Sequence, residues 1–294
     1  MAHGDLDGKV ALITGGAGGI GQALTRAFTA RGMRVGICDI VHDTAQTLAR
    51  ELGPERALAV AADVSDPAAC ARAVDAVAAR FGDLHVLVNN AGLGMSLVRR
   101  DHMDGKIQIE DVSIELWQRF LATNAGGAFF MAKAAVPRFR RQRWGRIINV
   151  TTSFFTMLRG GFAPYGPAKA ALEAWSASLA KELAGSGITV NVVVPGGPAN
   201  TPMVPVESFP DRGALVRPER MAPPMLYLCG EAGGAVTGRP ALRRRGLGFG
   251  VARRGRRSGR RRADRLARSG AESGLAGRPA EGRLKRYSAA RVSA

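Results

Sequence analysis

KVALITGGAGGIGQALTRAF occupies residues 9–28. It opens as a short apolar run, breaks into glycines, and resumes with Ile20, Leu24, Ala27 and Phe28 at helical spacing. That order predicts a strand, a tight turn and a helix. Glycines in such a turn let the backbone bend sharply and approach a pyrophosphate, whose charge the N–H groups and positive end of the following helix stabilise. Thr14, Gly15, Gly19, Ile20 and Gly21 are therefore candidate cofactor-binding residues. A glycine-rich turn can be only a turn; its place in the first strand-to-helix crossover gives it weight.

Outward from this turn the same alternation repeats. Apolar runs at 35–39, 57–61, 84–88, 146–150 and 188–194 are separated by helical patterns, among them one starting near Ile114 and one from Tyr165 to Ala184. Strands spaced by helices of 10 to 15 residues mean βαβ units and a parallel sheet. The prediction is an α/β fold, one doubly wound parallel sheet, with no internal repeat and no linker before residue 239. Composition agrees: 46% hydrophobic and 22% charged residues exclude wholesale disorder and a collagen-like chain. No apolar run reaches the length of a membrane span. The polar N-terminus is not a secretory signal. Cys38, Cys70 and Cys229 form neither a CxxC pair nor a metal spacing, so no metal site is expected, and buried thiols in a reducing cytoplasm are.

Asp39 lies 18 residues after Gly21, at the end of the second strand. A carboxylate there accepts from both ribose hydroxyls and repels a 2′-phosphate, and no Lys or Arg follows it. NAD is favoured over NADP. A second constellation is Tyr165-Gly-Pro-Ala-Lys169, whose i, i+4 spacing puts both side chains on one helix face. Tyrosine has a reference pKa of about 10, and an ammonium one turn away is expected to lower it. Thr151, Thr152 and Ser153 end the preceding strand and offer hydroxyls to a substrate carbonyl.

Together these residues resemble the short-chain dehydrogenase/reductase family over residues 8 to about 238: TGxxxGIG at 14–21, Asp63-Val64, Asn89-Asn90-Ala91-Gly92, Asn124, the hydroxyl-bearing strand end, YxxxK and Pro195-Gly196. The resemblance implies an NAD(H)-dependent oxidoreductase for a small-molecule secondary alcohol or carbonyl. In that family pattern Tyr165 exchanges the proton with the substrate oxygen, and Lys169 lowers the Tyr165 pKa and binds the nicotinamide ribose. A hydroxyl polarises the carbonyl, and Asn124 holds a helix irregularity and a water of the proton relay. Asp63 and Val64 border adenine, Asn90, Ala91 and Gly92 line the cofactor, and Thr201 contacts the nicotinamide amide. It also implies a homo-oligomer, with one interface around 115–135 and 165–184. An NADPH-dependent carbonyl reductase is the alternative that Asp39 opposes.

Three features depart from the pattern. The family's catalytic serine usually stands 13 residues before the tyrosine, where this chain has Thr152; Ser153 is 12 before, and the residue type tips the expectation to Ser153. The loop at 93–114 is about ten residues longer than typical and should overhang the crevice; Arg99, Arg100 and His102 in it are read as a solvated charged face in preference to contacts for an anionic substrate. His42 and His85 are expected at the surface. Finally, the family's closing strand is not recognisable after Gly238. The net charge of +18 sits almost wholly beyond it: residues 239–294 hold 17 Arg and one Lys against three carboxylates. Such a tail would attract nucleic acid only non-specifically, through phosphates, or be solvated and disordered. A shifted reading frame in GC-rich DNA, yielding Arg, Gly, Ala and Pro, is preferred. The division expected is 1–238 as the catalytic domain and 239–294 as the tail, with an open sheet edge reducing the tetramer that the resemblance implies to a dimer or a poorly behaved oligomer.

Overall fold

The computed structural model describes residues 5–103, 107–238 and 240–242. The chain runs β1 (Val10–Thr14), α1 (Gly19–Thr29), β2 (Arg34–Asp39), α2 (His42–Leu52), β3 (Ala57–Ala61), α3 (Pro67–Phe81) and β4 (Val86–Asn89). It continues through α4 (Ile114–Leu121), a π-helical turn (Ala122–Gly126), α5 (Gly127–Gln142), β5 (Gly145–Val150), α6 (Phe154–Met157), α7 (Tyr165–Glu182), β6 (Ile188–Val194), α8 (Ala222–Cys229) and β7 (Pro240–Leu242). Among the described residues these strands form one parallel sheet in the order β3-β2-β1-β4-β5-β6-β7. This is the Rossmann-like, doubly wound arrangement that the alternation of periods predicts.

Strands β1, β4, β5 and β6 are buried along their whole length, because helices cover both faces. Alternate residues of β1 serve the two cores. Val10 and Leu12 pack with Val74, Val77, Met131, Phe139 and Leu179 of α3, α5 and α7. Ala11 and Ile13 pack with Leu24, Phe28, Leu48, Met225 and Leu228 of α1, α2 and α8. Cys38, Cys70 and Cys229 are buried free thiols within these layers, and burial pushes the Cys70 thiol up to about 11.

Two expectations are corrected by the fold. A strand does follow Gly238: Pro240–Leu242 pairs in parallel with Val192–Val194, so the sheet continues past residue 238 and the end of β6 is covered. Gly238, at φ +67°, donates its N–H to the Val190 carbonyl, and the Thr237 hydroxyl accepts from the Val190 N–H, which steers the chain onto that edge. Three residues are too short to show any period. His85 is half-buried, not superficial; its Nδ1 accepts from the Val10 N–H and its ring packs edge-on against Trp144. The remaining calls on the basic tail, including its disorder, fall at 243–294 and lie outside the described residues.

Candidate active site

Strand order reverses between β1 and β4, so the loops leaving their carboxyl ends diverge and open a crevice. Thr14 knits its two sides together. Its Oγ1 accepts from the N–H groups of Asn90 and Ala91, both at 3.0 Å, while the Asn90 amide donates to the carbonyls of Thr14 (3.0 Å) and Gly15 (3.1 Å). Gly15 and Gly19 have φ of +60° and +50°. A Cβ at Gly21 would stand 1.9 Å from the Gly15 carbonyl oxygen, and one at Gly19 would stand 2.8 Å from the Thr201 methyl. Nothing lies within 4 Å of a Cβ placed on Gly18, which faces open space. No side chain caps α1 and no acid occupies its first turn, so its positive end remains for an external anion. An open, uncapped cradle of this kind fits a pyrophosphate.

Asp39 ends β2 beside this turn. Its Oδ2 accepts from the Ala17 N–H and its Oδ1 from the Val41 N–H, both at 3.1 Å. Each carboxylate oxygen keeps a further acceptor site, so tying the turn does not prevent binding of a diol. Asp63 is exposed after β3 and accepts from the Ser65 N–H and hydroxyl, while Val64 is buried against Gly127. Pro195 and Gly196 follow β6, and the chain then crosses to seat Thr201 on the glycine turn. The residues named for cofactor binding thus gather at the carboxyl ends of β1, β2, β3, β4 and β6.

The catalytic candidates gather on the β4–β5–β6 side. Lys169 is buried, donates from Nζ to the Val150 carbonyl at 2.9 Å, and lies beside Gly92. Asn124 is buried in the π-helical turn; its Oδ1 accepts from the Leu93 N–H at 2.6 Å and its Nδ2 donates to the Leu93 carbonyl at 3.0 Å. The side-chain amide so fills a backbone-like role where the helix widens. Tyr165 begins α7, and the neighbouring Thr152 side chain opposes the upward shift of its phenol. Ser153 is engaged elsewhere: its Oγ accepts from the Thr156 N–H at 3.2 Å and shares a hydrogen bond with the Thr156 hydroxyl at 2.9 Å, capping α6.

The electrostatics differ from the simple tyrosine–lysine expectation. Burial pushes the Tyr165 phenol up to about 12, with the Thr152 hydrogen bond opposing it. Burial also pulls Lys169 down to about 8. Desolvation disfavours the charged form of each group. At neutral pH the resting site holds a protonated phenol and an ammonium.

Asn89, part of the motif at 89–92, is supported by Asn149 and Ser176, which carry no sequence signal strong enough to name them. The Asn89 amide donates to Asn149 Oδ1 (2.8 Å), the Asn149 amide donates to Ser176 Oγ (2.7 Å), and that hydroxyl donates to the Leu172 carbonyl (2.6 Å). This buried chain fastens α7, two turns beyond Lys169, to the middle of the sheet. Single asparagines ending or interrupting the apolar runs at 86–89 and 145–150 are the hint that was available. Over the crevice, residues 198–216 form a flap whose neck closes through Asn200 N–H to the Val216 carbonyl and Val216 N–H to the Pro198 carbonyl, each at 2.9 Å. Arg212 organises its interior, donating to Asn200 Oδ1 and to the carbonyls of Thr201 and Val204. Its tip is clasped to the long loop: Arg100 makes a two-pronged pair with Glu207 at 2.7 and 3.0 Å, and the Ser208 hydroxyl donates to the Arg100 carbonyl. A cavity of about 640 Å³ lies apart from all of this, against α1 and α8, and none of the chemistry-bearing residues lines it.

The short chain dehydrogenase family model matches residues 9–209. The chain is 36% identical over 192 residues to the 3-oxoacyl-(acyl-carrier-protein) reductase FabG of Escherichia coli, covering 65% of this chain and 74% of that one. It is 36% identical over 241 residues to the 3-alpha-(or 20-beta)-hydroxysteroid dehydrogenase of Mycobacterium tuberculosis, covering 80% and 87%. Among solved structures it is similar to a 3-ketoacyl-(acyl-carrier-protein) reductase from Brucella melitensis complexed with NADH, at a TM-score of 0.70 and 32% identity, covering 81% of this chain and 96% of that one.

Proposed function

Because this chain belongs to the short chain dehydrogenase family, and so is an oxidoreductase acting between CH–OH and carbonyl, we propose that it interconverts a secondary alcohol and a ketone or aldehyde with NAD(H) as its preferred nucleotide. The observation that carries this reading is the placing of Tyr165 and buried Lys169 in the first turns of α7, with Lys169 held to the Val150 carbonyl at the end of β5 beside Thr152, and of Asp39 beside the glycine turn. When bound, the nicotinamide supplies or accepts the hydride. The protein's residues do the rest. In reduction, Tyr165 donates its phenolic proton to the carbonyl oxygen, and Thr152 orients that oxygen by a second hydrogen bond. Lys169, charged at neutral pH, stabilises the phenolate left behind. Asn124 keeps Leu93 and Gly92 in place beside Lys169. The direct assay is NADH absorbance with a panel of secondary alcohols and their ketones; no turnover of any member would sink the reading.

Ser153 was favoured by residue type, yet its hydroxyl caps α6, whereas Thr152 meets Tyr165. Thr152→Ala is expected to lower kcat/KM by about 10- to 100-fold, the cost of one lost transition-state hydrogen bond. Ser153→Ala should instead lower the melting temperature, at about 1 kcal/mol for a lost cap, with a smaller kinetic effect. The reverse ranking in steady-state kinetics would return the role to Ser153.

For the nucleotide, support comes from the Asp39 carboxylate and from the NADH in the Brucella melitensis neighbour. Titration by NADH and NADPH fluorescence should show tighter binding of NADH, and Asp39→Ala should narrow the gap. A wild-type preference for NADPH overturns the assignment. In the same reading the protein is a homo-oligomer built through the α4, α5 and α7 face, where Trp117 and Phe129 are exposed and Phe129 packs edge-on against Phe130 and Trp175.

A further inference from the structure

Three large apolar side chains stand in solvent immediately after the hydroxyl pair. Phe154 is 70% exposed, Phe155 87% and Leu158 67%, all on or next to the single turn of α6. Scattered exposed hydrophobics are ordinary, but three within five residues, on the turn that follows the carboxyl end of β5, form a patch that calls for a partner. The fold does not require them there: α6 is held by the Ser153 cap and by the buried side chain of Met157.

The opposite wall has the same character. Leu97 in the loop after β4, and Met203 and Val206 in the flap after β6, are 48%, 40% and 56% exposed. Strands β4, β5 and β6 are neighbours, so their carboxyl ends set α6, the loop and the flap around one opening. Beneath it, Met95, Ile107 and Phe162 form a small buried cluster against which Tyr165 itself packs.

The charges of this region are already engaged. Arg99 is paired to Asp101 at 2.6 and 3.0 Å and Arg100 to Glu207, so neither is an open anion site. His102 shares its Nδ1 with the Arg99 carbonyl and the Ser208 hydroxyl, and burial lowers its pKa. Arg159 lies over the Phe162 ring, 4.6 Å from its centroid. Arg99, Arg100 and His102 therefore present no open contact to an anionic substrate.

Resting on the oxidoreductase reading above, we propose that the substrate is a bulky, uncharged apolar ketone or its secondary alcohol. Its oxygen meets Tyr165 and Thr152, and its body is received between α6 and the loop-and-flap wall. Phe155 and Leu158 are then specificity-determining side chains, and the Arg100–Glu207 clasp keeps the flap wall in place opposite them.

The test compares decahydronaphthalen-2-one with the 3-oxodecanoate anion, two ketones of equal carbon number, in the full-length enzyme with NADH. Wild type should favour the bicyclic ketone. Phe155→Ser combined with Leu158→Ser should raise its KM about tenfold, from the apolar area no longer buried, with kcat changing far less. Binding is read independently of turnover in Tyr165→Phe, by quenching of bound NADH fluorescence with the bicyclic ketone, and the double substitution should weaken that quenching by a similar factor. Quenching without turnover in wild type would keep the substrate class while removing the catalytic reading. Preference for 3-oxodecanoate, lost in Arg159→Gln, would overturn the inference. So would an unchanged KM accompanied by a fall in oligomer size on light scattering, which would make α6 a subunit contact instead.

Discussion

Tyr165→Phe should reduce turnover by about 10²- to 10⁴-fold, the usual worth of a positioned general acid. Only one oxygen is removed, and the ring keeps its packing against Met95, Ile107 and Phe162. NADH affinity should therefore stay close to wild type, and the melting temperature should shift little, since the lost Thr152 hydrogen bond is worth about 1 kcal/mol net. The pH dependence has a definite sign. With the phenol held up at about 12, the donor form predominates at neutral pH, which suits carbonyl reduction; alcohol oxidation needs the phenolate and should accelerate as pH rises. Stopped-flow NADH oxidation together with fluorescence titration checks both halves. Activity within tenfold of wild type, with binding intact, would assign the proton to another group.

Gly21→Ala should damage the nucleotide site more than its single methyl suggests. The new Cβ would lie 1.9 Å from the Gly15 carbonyl oxygen and 2.8 Å from the Asn90 amide nitrogen, and the first of these is backbone. The turn must then open, at about 1–3 kcal/mol of overpacking, and it loses the Asn90 bridge that joins it to β4. A lower melting temperature and at least about tenfold weaker NADH binding are expected, each 1.4 kcal/mol of lost binding being tenfold. Gly18→Ala is the matched control. Gly18 has φ −131° and nothing within 4 Å of its Cβ position, so stability should hardly change. Equal effects of the two substitutions would show that the cradle is not shaped as described.

Much of the architecture is legible in the chain because its signals are local. The run at 10–14 is apolar at consecutive positions, as a strand covered on both faces must be, and α1 after it repeats its apolar residues at helical spacing. The glycine turn is equally local: φ values of +60° and +50° at Gly15 and Gly19 are conformations that glycine adopts without strain. Tyr165 and Lys169 share a face because they are four apart on one helix. The long loop at 93–114 is visible simply as surplus length between two recognisable elements.

Other features exist only in the assembled molecule. Whether Thr152 or Ser153 serves Tyr165 cannot be read from their spacing, because it depends on α6, a single turn too short to leave a period, which takes Ser153 as its cap. The clasp of Arg100 to Glu207 joins residues 107 apart, and no spacing along the chain announces it. Strand β7 is three residues long and is a strand because the edge of β6 accepts it. The upward shift of Tyr165 follows from how much matter surrounds the phenol, which a neighbouring lysine does not reveal. Periodicity, glycine conformations and i, i+4 pairs are set by bonds between near residues, so residues 9–238 carry them openly. Desolvation, edge pairing and long-range ion pairs are set by what distant segments bring into the same volume, and only the folded chain decides them.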